Sequence, residues 1–164
     1  MASTIVTFQL GEREVEVMVG PMATLQSVLR EQLGSTAAKE GCRQGGCGAC
    51  TVLVDDEPML SCLLPVEDVA GRRVTTLESL TPAEGLHPIQ RAFLDNYAFQ
   101  CGYCTPGMVM ISKALLDHQP APSVDEIAQA LTGNICRCTG YRPIVRAVEV
   151  AAEAMRGSEA GPLR

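Results

Sequence analysis

CRQGGCGACTVLVDDEPMLSC, residues 42–62, holds four of the eight cysteines in this 164-residue chain. Cys42, Cys47 and Cys50 fall within nine residues, spaced by Gly45, Gly46 and Gly48. Cys62 follows TVLV, the turn DDEP and the start of a second apolar run, which together read as strand, turn, strand. Three thiols on one loop and a fourth on a later strand converge only if the loop wraps around something. Glycines permit that wrapping, because positive φ and the missing Cβ let backbone N–H groups point inward at close range.

The compartment decides how such thiols are read. Eight cysteines in 164 residues is about 5%, below the roughly 8–10% of disulfide scaffolds. The opening MASTIVTFQLGEREVEV alternates like a strand and lacks the basic start and apolar core of a signal peptide. No apolar run approaches the roughly 20 residues of a membrane span. A soluble, cytoplasmic chain is therefore expected, and in a reducing compartment clustered cysteines bind metal or do redox chemistry. The net charge of −6, from 13 basic and 19 acidic residues, argues against a nucleic-acid partner. A hydrophobic content of 46% supports a core. Halves of roughly 75 residues would each hide only about 60% of their unfolded surface, so metal would help hold them.

Working outward from the cysteine loop, Thr4–Leu10 and Glu14–Val19 alternate apolar and polar around Gly11-Glu12, a hairpin pattern. TLQSVLREQLG places Leu25, Val28, Leu29 and Leu33 on one helical face, with Thr24 as N-cap and Gly34 as stop. TVLV and MLSCLL complete a ββαββ order, a small α+β domain with a mixed sheet, and a last β-like piece, RRVTTL, ends this half. ESLTPAEGLHP then reads as a linker, and strand signals cease. In the second half Ile89, Phe93 and Tyr97 recur at helical spacing, and TPGMVMISKALLDHQ begins with Thr105 as N-cap and Pro106 at the first helical position. SVDEIAQALTGN opens on a Ser123/Glu126 capping box, and YRPIVRAVEVAAEAMRG aligns Ile144, Ala147, Val148, Ala151 and Met155. Four helices in about 70 residues predict a compact bundle.

The cysteines form two quartets. The first, C-x4-C-x2-C followed by C after eleven residues, has the spacing of plant-type [2Fe–2S] ligands, with Arg43 as a nearby positive charge. A structural zinc also takes four cysteines, but its sites usually combine paired short knuckles. In the second quartet Cys101 and Cys104 precede one helix, and Cys136 and Cys138 precede another. Helix N-termini favour thiolates, and an approximate two-fold arrangement would bring all four sulfurs to one end of the bundle. Its spacing alone suits zinc as well as iron–sulfur. No catalytic base stands out: His87 and His118 read as surface residues. Arg137, Arg142 and Arg146 flank the second quartet, either as counter-charges or as a solvated face, and Met108 and Met110 read as core.

GCRQGGCGACTV, QCGYCTPGM and GNICRCTGYRPI, in that order, resemble the iron–sulfur subunit of the molybdenum hydroxylases, the xanthine oxidase/aldehyde oxidoreductase family. The resemblance runs from about Thr4 to Met155. It implies an α+β chain: a β-grasp, plant ferredoxin-like domain over 1–78, a linker over 79–87, a four-helix bundle with a two-fold axis over 88–157, and a loose tail over 158–164. It implies one [2Fe–2S] cluster on Cys42, Cys47, Cys50 and Cys62 near the surface, and a second, buried one on Cys101, Cys104, Cys136 and Cys138. Gln100 and Cys138 would approach the pterin of molybdopterin, expected in its dinucleotide form. The implied assembly is a dimer of heterotrimers, with a large molybdopterin-binding subunit and a medium FAD-binding subunit beside this small one. Electrons released by hydroxylation with water-derived oxygen would pass from molybdenum through both clusters to FAD. A free-standing two-cluster ferredoxin and a zinc-stabilised interaction module are the alternatives.

Overall fold

Alternation in the first 19 residues produces a hairpin. β1 (Thr4–Leu10) and β2 (Arg13–Val19) pair antiparallel, with Val6 opposite Val17 and Phe8 opposite Val15. These four side chains are buried, while their neighbours on the other face meet solvent. The computed structural model describes residues 3–159. α1 starts with an α turn, Leu25–Ser27, capped by the Thr24 hydroxyl, which accepts from the Ser27 N–H at 3.2 Å. It continues as a π-wound Val28–Gln32, where sequence periodicity predicts plain α-helix, and Gly34 at φ +70° ends it.

β3 (Thr51–Val54) and β4 (Glu57–Leu60) form a second antiparallel pair, joined by Asp55 and Asp56, both at positive φ. Short polar side chains tolerate that conformation. Arg72 and Arg73 fasten the turn: the Asp55 carboxylate accepts from Arg72 Nε at 2.7 Å and from the Arg73 N–H at 2.9 Å. β5 (Arg73–Thr75) lies parallel to β1 and antiparallel to β3, so the mixed sheet runs β2-β1-β5-β3-β4.

All four β3 residues are buried because both of its faces are covered. Val52 and Val54 join the core beneath α1, whereas Leu53 packs on Met110 and Ala114 of the second half. Leu77 and Leu80 of α2 (Leu77–Leu80) close that seam, so part of the expected linker is a short helix. Glu78 ties it back, accepting the Ser35 hydroxyl at 2.8 Å and the Ala37 N–H at 2.7 Å.

The second half holds α3 (Pro88–Asp95), α4 (Thr105–His118), α5 (Val124–Ala130) and α6 (Arg142–Glu159) around one core. Ile89, Phe93, Met108, Ile127, Ile144 and Val148 fill it. The Ser123/Glu126 capping box forms, with both reciprocal bonds to the backbone. Three local expectations are corrected. Tyr97 lies beyond α3 at φ +50° and is 82% exposed, so it leaves the Ile89–Phe93 face. Cys104, not Thr105, is the N-cap of α4. His87 is the partly buried N-cap of α3, its Nδ1 accepting from the Ile89 N–H at 3.3 Å. The expected tail, 158–164, overlaps the end of α6; its remainder lies outside the described residues. Among the described residues no helix is long and apolar enough to cross a membrane.

Candidate metal centres

The first quartet is built by one loop and one hairpin. Pairing of Thr51 with Leu60 brings the residues flanking β3 and β4 together, so Cys50 and Cys62 meet under the sheet edge, both buried. The Ser61 hydroxyl donates to the Cys50 carbonyl at 2.8 Å and fixes that approach. Cys42 and Cys47 come from the glycine loop and are partly exposed. Gly45, at φ +76°, lets the loop lie on Leu63, which a Cβ would meet at 2.5 Å; at Gly41 a Cβ would stand 2.6 Å from Cys47 Sγ. The Gln44 N–H points at Cys42 Sγ, 3.4 Å away. That bond, then contact with the Cys47 thiol and further loop N–H groups, draws the Cys42 thiol down to about 7. Burial pushes Cys50 up to about 11.

The second quartet joins the loops before α4 and α6. Cys101 and Cys138 are exposed and their sulfurs lie 3.7 Å apart. Cys104 and Cys136 form the inner pair; burial, then the Cys136 sulfur, pushes Cys104 up to about 12. At Cys136 burial also pushes upward, but bonds from the Thr139 hydroxyl and from the Thr139 and Cys138 N–H groups bring the thiol below its ordinary value. Tyr141 braces this loop: its hydroxyl accepts the Cys136 N–H at 2.9 Å and donates to the Asn134 carbonyl at 3.1 Å.

Cys101 and Cys138 thus lie sulfur to sulfur, and the strongest thiol neighbours elsewhere are Cys47 for Cys42, Cys62 for Cys50 and Cys136 for Cys104, an arrangement in twos within each quartet. A single tetrahedral ion would gather four sulfurs around one point. Two pairs suit a binuclear centre, in which each iron takes two protein thiolates. A cavity of about 200 Å³ runs between the quartets, lined by Cys47, Cys101, Tyr103, Cys104, Cys136 and Cys138. Thr105 Oγ1, next to Cys104, is buried with no hydrogen-bond partner among the described residues, a free donor suited to an anionic sulfur centre.

Residues 2–99 match a 2Fe-2S iron-sulfur cluster binding domain, and residues 76–149 match a [2Fe-2S] binding domain. A nicotinate dehydrogenase chain of Pseudomonas putida is 45% identical, over 93% of this chain and 98% of that protein. The small FeS subunit of nicotinate dehydrogenase from Eubacterium barkeri is 40% identical at the same coverage. The crystal structure of quinoline 2-oxidoreductase from Pseudomonas putida 86 superposes with a TM-score of 0.91 at 39% identity, covering 96% of this chain and 98% of that one. The chain belongs to the iron–sulfur subunits of the xanthine oxidase family. These relatives are chains of nicotinate dehydrogenases and of a quinoline oxidoreductase. The iron–sulfur subunit spans only 12% of the xanthine dehydrogenase/oxidase of Rattus norvegicus, at 41% identity.

The eight expected cysteines fall in two separate loop regions, with Cys138 Sγ on Cys101 Sγ and Cys104 beside Cys136 in the second. Gln100 sits exposed beside Cys101, at the open end of the second quartet. Among the described residues the expected burial of the second site holds for its inner members, Cys136 being buried and Cys104 half-buried, whereas Cys101 and Cys138 are exposed. Met108 and Met110 are core, as read from sequence. Arg146 pairs with Glu149 at 3.7 Å rather than with a cysteine loop. Sequence reading passed over Asn134, Tyr141 and Gly107. The first two stand inside the GNICRCTGYRPI motif, where a polar amide and a tyrosine beside two cysteines were the available signal.

Proposed function

We propose that this chain is an electron-transfer small subunit with one [2Fe–2S] cluster on Cys42, Cys47, Cys50 and Cys62 and another on Cys101, Cys104, Cys136 and Cys138. The arrangement of the cysteines in twos within each quartet is the observation that carries this reading. Bound there, the clusters supply one-electron relays between the molybdopterin of a large partner and the FAD of a medium partner, in a cytoplasmic hydroxylase that takes its oxygen from water. The glycine loop and the α4 and α6 N-termini hold the thiolates and offer N–H groups to them. In this reading the helical half is a four-helix bundle whose two cysteine loops are related by an approximate two-fold axis.

Cover of the second quartet by the large partner fits its surroundings. Cys101 and Cys138 are open, and Ile135 and Tyr103 beside them are 54% and 48% exposed. Gln100 and Cys138 stand where a pterin on that partner would be met, and a dimer of heterotrimers is the assembly we infer. A carrier that docks only transiently would leave these sulfurs to water and oxygen.

Cys136→Ser in the assembled complex tests the ligand assignment. Iron and sulfide analysis of the unmodified complex should give two clusters per chain, and its reduced form two distinct EPR signals. The variant should lose one signal and keep the other. Persistence of both signals, unchanged, would overturn the assignment of the second quartet.

A further inference from the structure

The two cysteine loops touch through their backbones. The Ile135 N–H donates to the Cys47 carbonyl at 2.9 Å, and Ile135 is covalently followed by Cys136. Apart from that one hydrogen bond, the route from one quartet to the other is covalent throughout. It runs along the Cys47 side chain to its carbonyl, then from the Ile135 backbone into Cys136. Tunnelling falls off more steeply across a gap than along bonds, so this hydrogen bond is the weakest link of that route.

Ile135 cannot hold the contact by its own burial, since it is 54% exposed. Its neighbour can. Asn134 is 4% exposed and donates from Nδ2 to the Gly48 carbonyl at 3.0 Å and to Thr51 Oγ1 at 3.3 Å. Its own carbonyl accepts from Tyr141, whose hydroxyl also accepts the Cys136 N–H. Asn134 thus grips the first loop with its side chain and the second with its main chain. Gly48 makes the fit possible at φ +68°, where a Cβ would strike the Gly133 carbonyl at 2.5 Å.

We propose that Asn134 is a positioning residue for electron transfer between the two sites, keeping the Cys47 carbonyl on the Ile135 N–H. The proposal rests on the reading that both quartets hold [2Fe–2S] clusters. The transfer moves one electron from a reduced second cluster to an oxidised first cluster; no bond is made or broken and no proton moves. The electron comes from the molybdenum partner in the complex, or from a one-electron reducing pulse in the test.

The test uses the cluster-loaded complex carrying Asn134→Asp, which keeps the side-chain shape and removes both donated bonds. Two hydrogen bonds worth about 1 kcal/mol each should raise opening of the contact, and so deuterium exchange at the Ile135 amide, about 10- to 30-fold. Both EPR signals should remain at full intensity. Re-equilibration between the clusters after a reducing pulse should slow, and their mutual magnetic splitting should change. Glu78→Gln, which weakens the tie of α2 to Ser35 and Ala37 away from both cysteine loops, should leave transfer and splitting as in the unmodified complex. Should Asn134→Asp not assemble, Tyr141→Phe, which frees the Asn134 carbonyl, should give the same slowing in milder form. Unaltered transfer and splitting in a variant whose Ile135 amide exchanges faster would overturn the proposal, as would equal slowing by Glu78→Gln. Absence of either EPR signal from the unmodified complex would instead sink the two-cluster reading.

Discussion

Gly107→Ala should unseat the contact between the two halves. Gly107 stands in the first turn of α4, facing the backbone of the glycine loop. A Cβ there would lie 2.3 Å from the Gly48 carbonyl oxygen and 2.9 Å from Asn134 Nδ2. The obstacle is main chain, held by Thr51 and Asn134, so no side-chain rotation can relieve it. Contacts closer than 3.0 Å are essentially never made by a real Cβ, so the loop and helix must part by at least ~0.7 Å. Alanine gains about 0.5–1 kcal/mol of helix propensity over glycine, while overpacking costs about 1–3 kcal/mol. The clash wins at the middle of both ranges, for a net loss of about 1 kcal/mol. For a chain of this length each kcal/mol moves Tm by about 2–4 °C. Differential thermal denaturation of the loaded protein, followed by circular dichroism and cluster bleaching, reads the loss. Gly157→Ala on α6, where a Cβ meets nothing within 4 Å, should instead be neutral or raise Tm slightly. A Gly107→Ala protein as stable as its parent would refute the close-approach reasoning.

Other perturbations separate the remaining terms. Glu78→Gln probes the latch to Ser35 and Ala37: burial pushes this carboxyl up, but the Ala37 N–H, its own N–H and the Ser35 hydroxyl bring it below its ordinary value. A depressed folded value means stability that is present above the unfolded value near pH 4.5 and lost as pH falls through the folded one. The variant should therefore be weaker by about 1–2 kcal/mol, by a constant amount between pH 6 and 8 and by less below about pH 4.5; denaturant titrations of both proteins across that range check it, and a gap that widened in acid would contradict the sign. Ile144→Ala, at a fully buried position in the helical core, should cost about 2–5 kcal/mol by equilibrium unfolding, with bleaching of the second cluster preceding that of the first.

Much of this molecule is written locally. The hairpin of β1 and β2 follows from period-2 alternation, and the α5 start follows from Ser123 and Glu126, because neighbours along the chain make those contacts. The π-winding of α1, the helix inside the expected linker and the departure of Tyr97 from its face were not legible. Each depends on what the segment packs against, as Leu77 and Leu80 do on Leu53 and Met110. The sites divide in the same way. Cys42, Cys47 and Cys50 are bound to act together, since nine residues of chain and three glycines leave them little choice. Cys101 finding Cys138 waits on the packing of the helices, and Asn134 reaching Gly48 waits on the docking of sheet against helices. Spacing limits how far two residues can separate; whether distant ones meet, and which face stays uncovered, is decided by burial of the apolar surfaces that carry them.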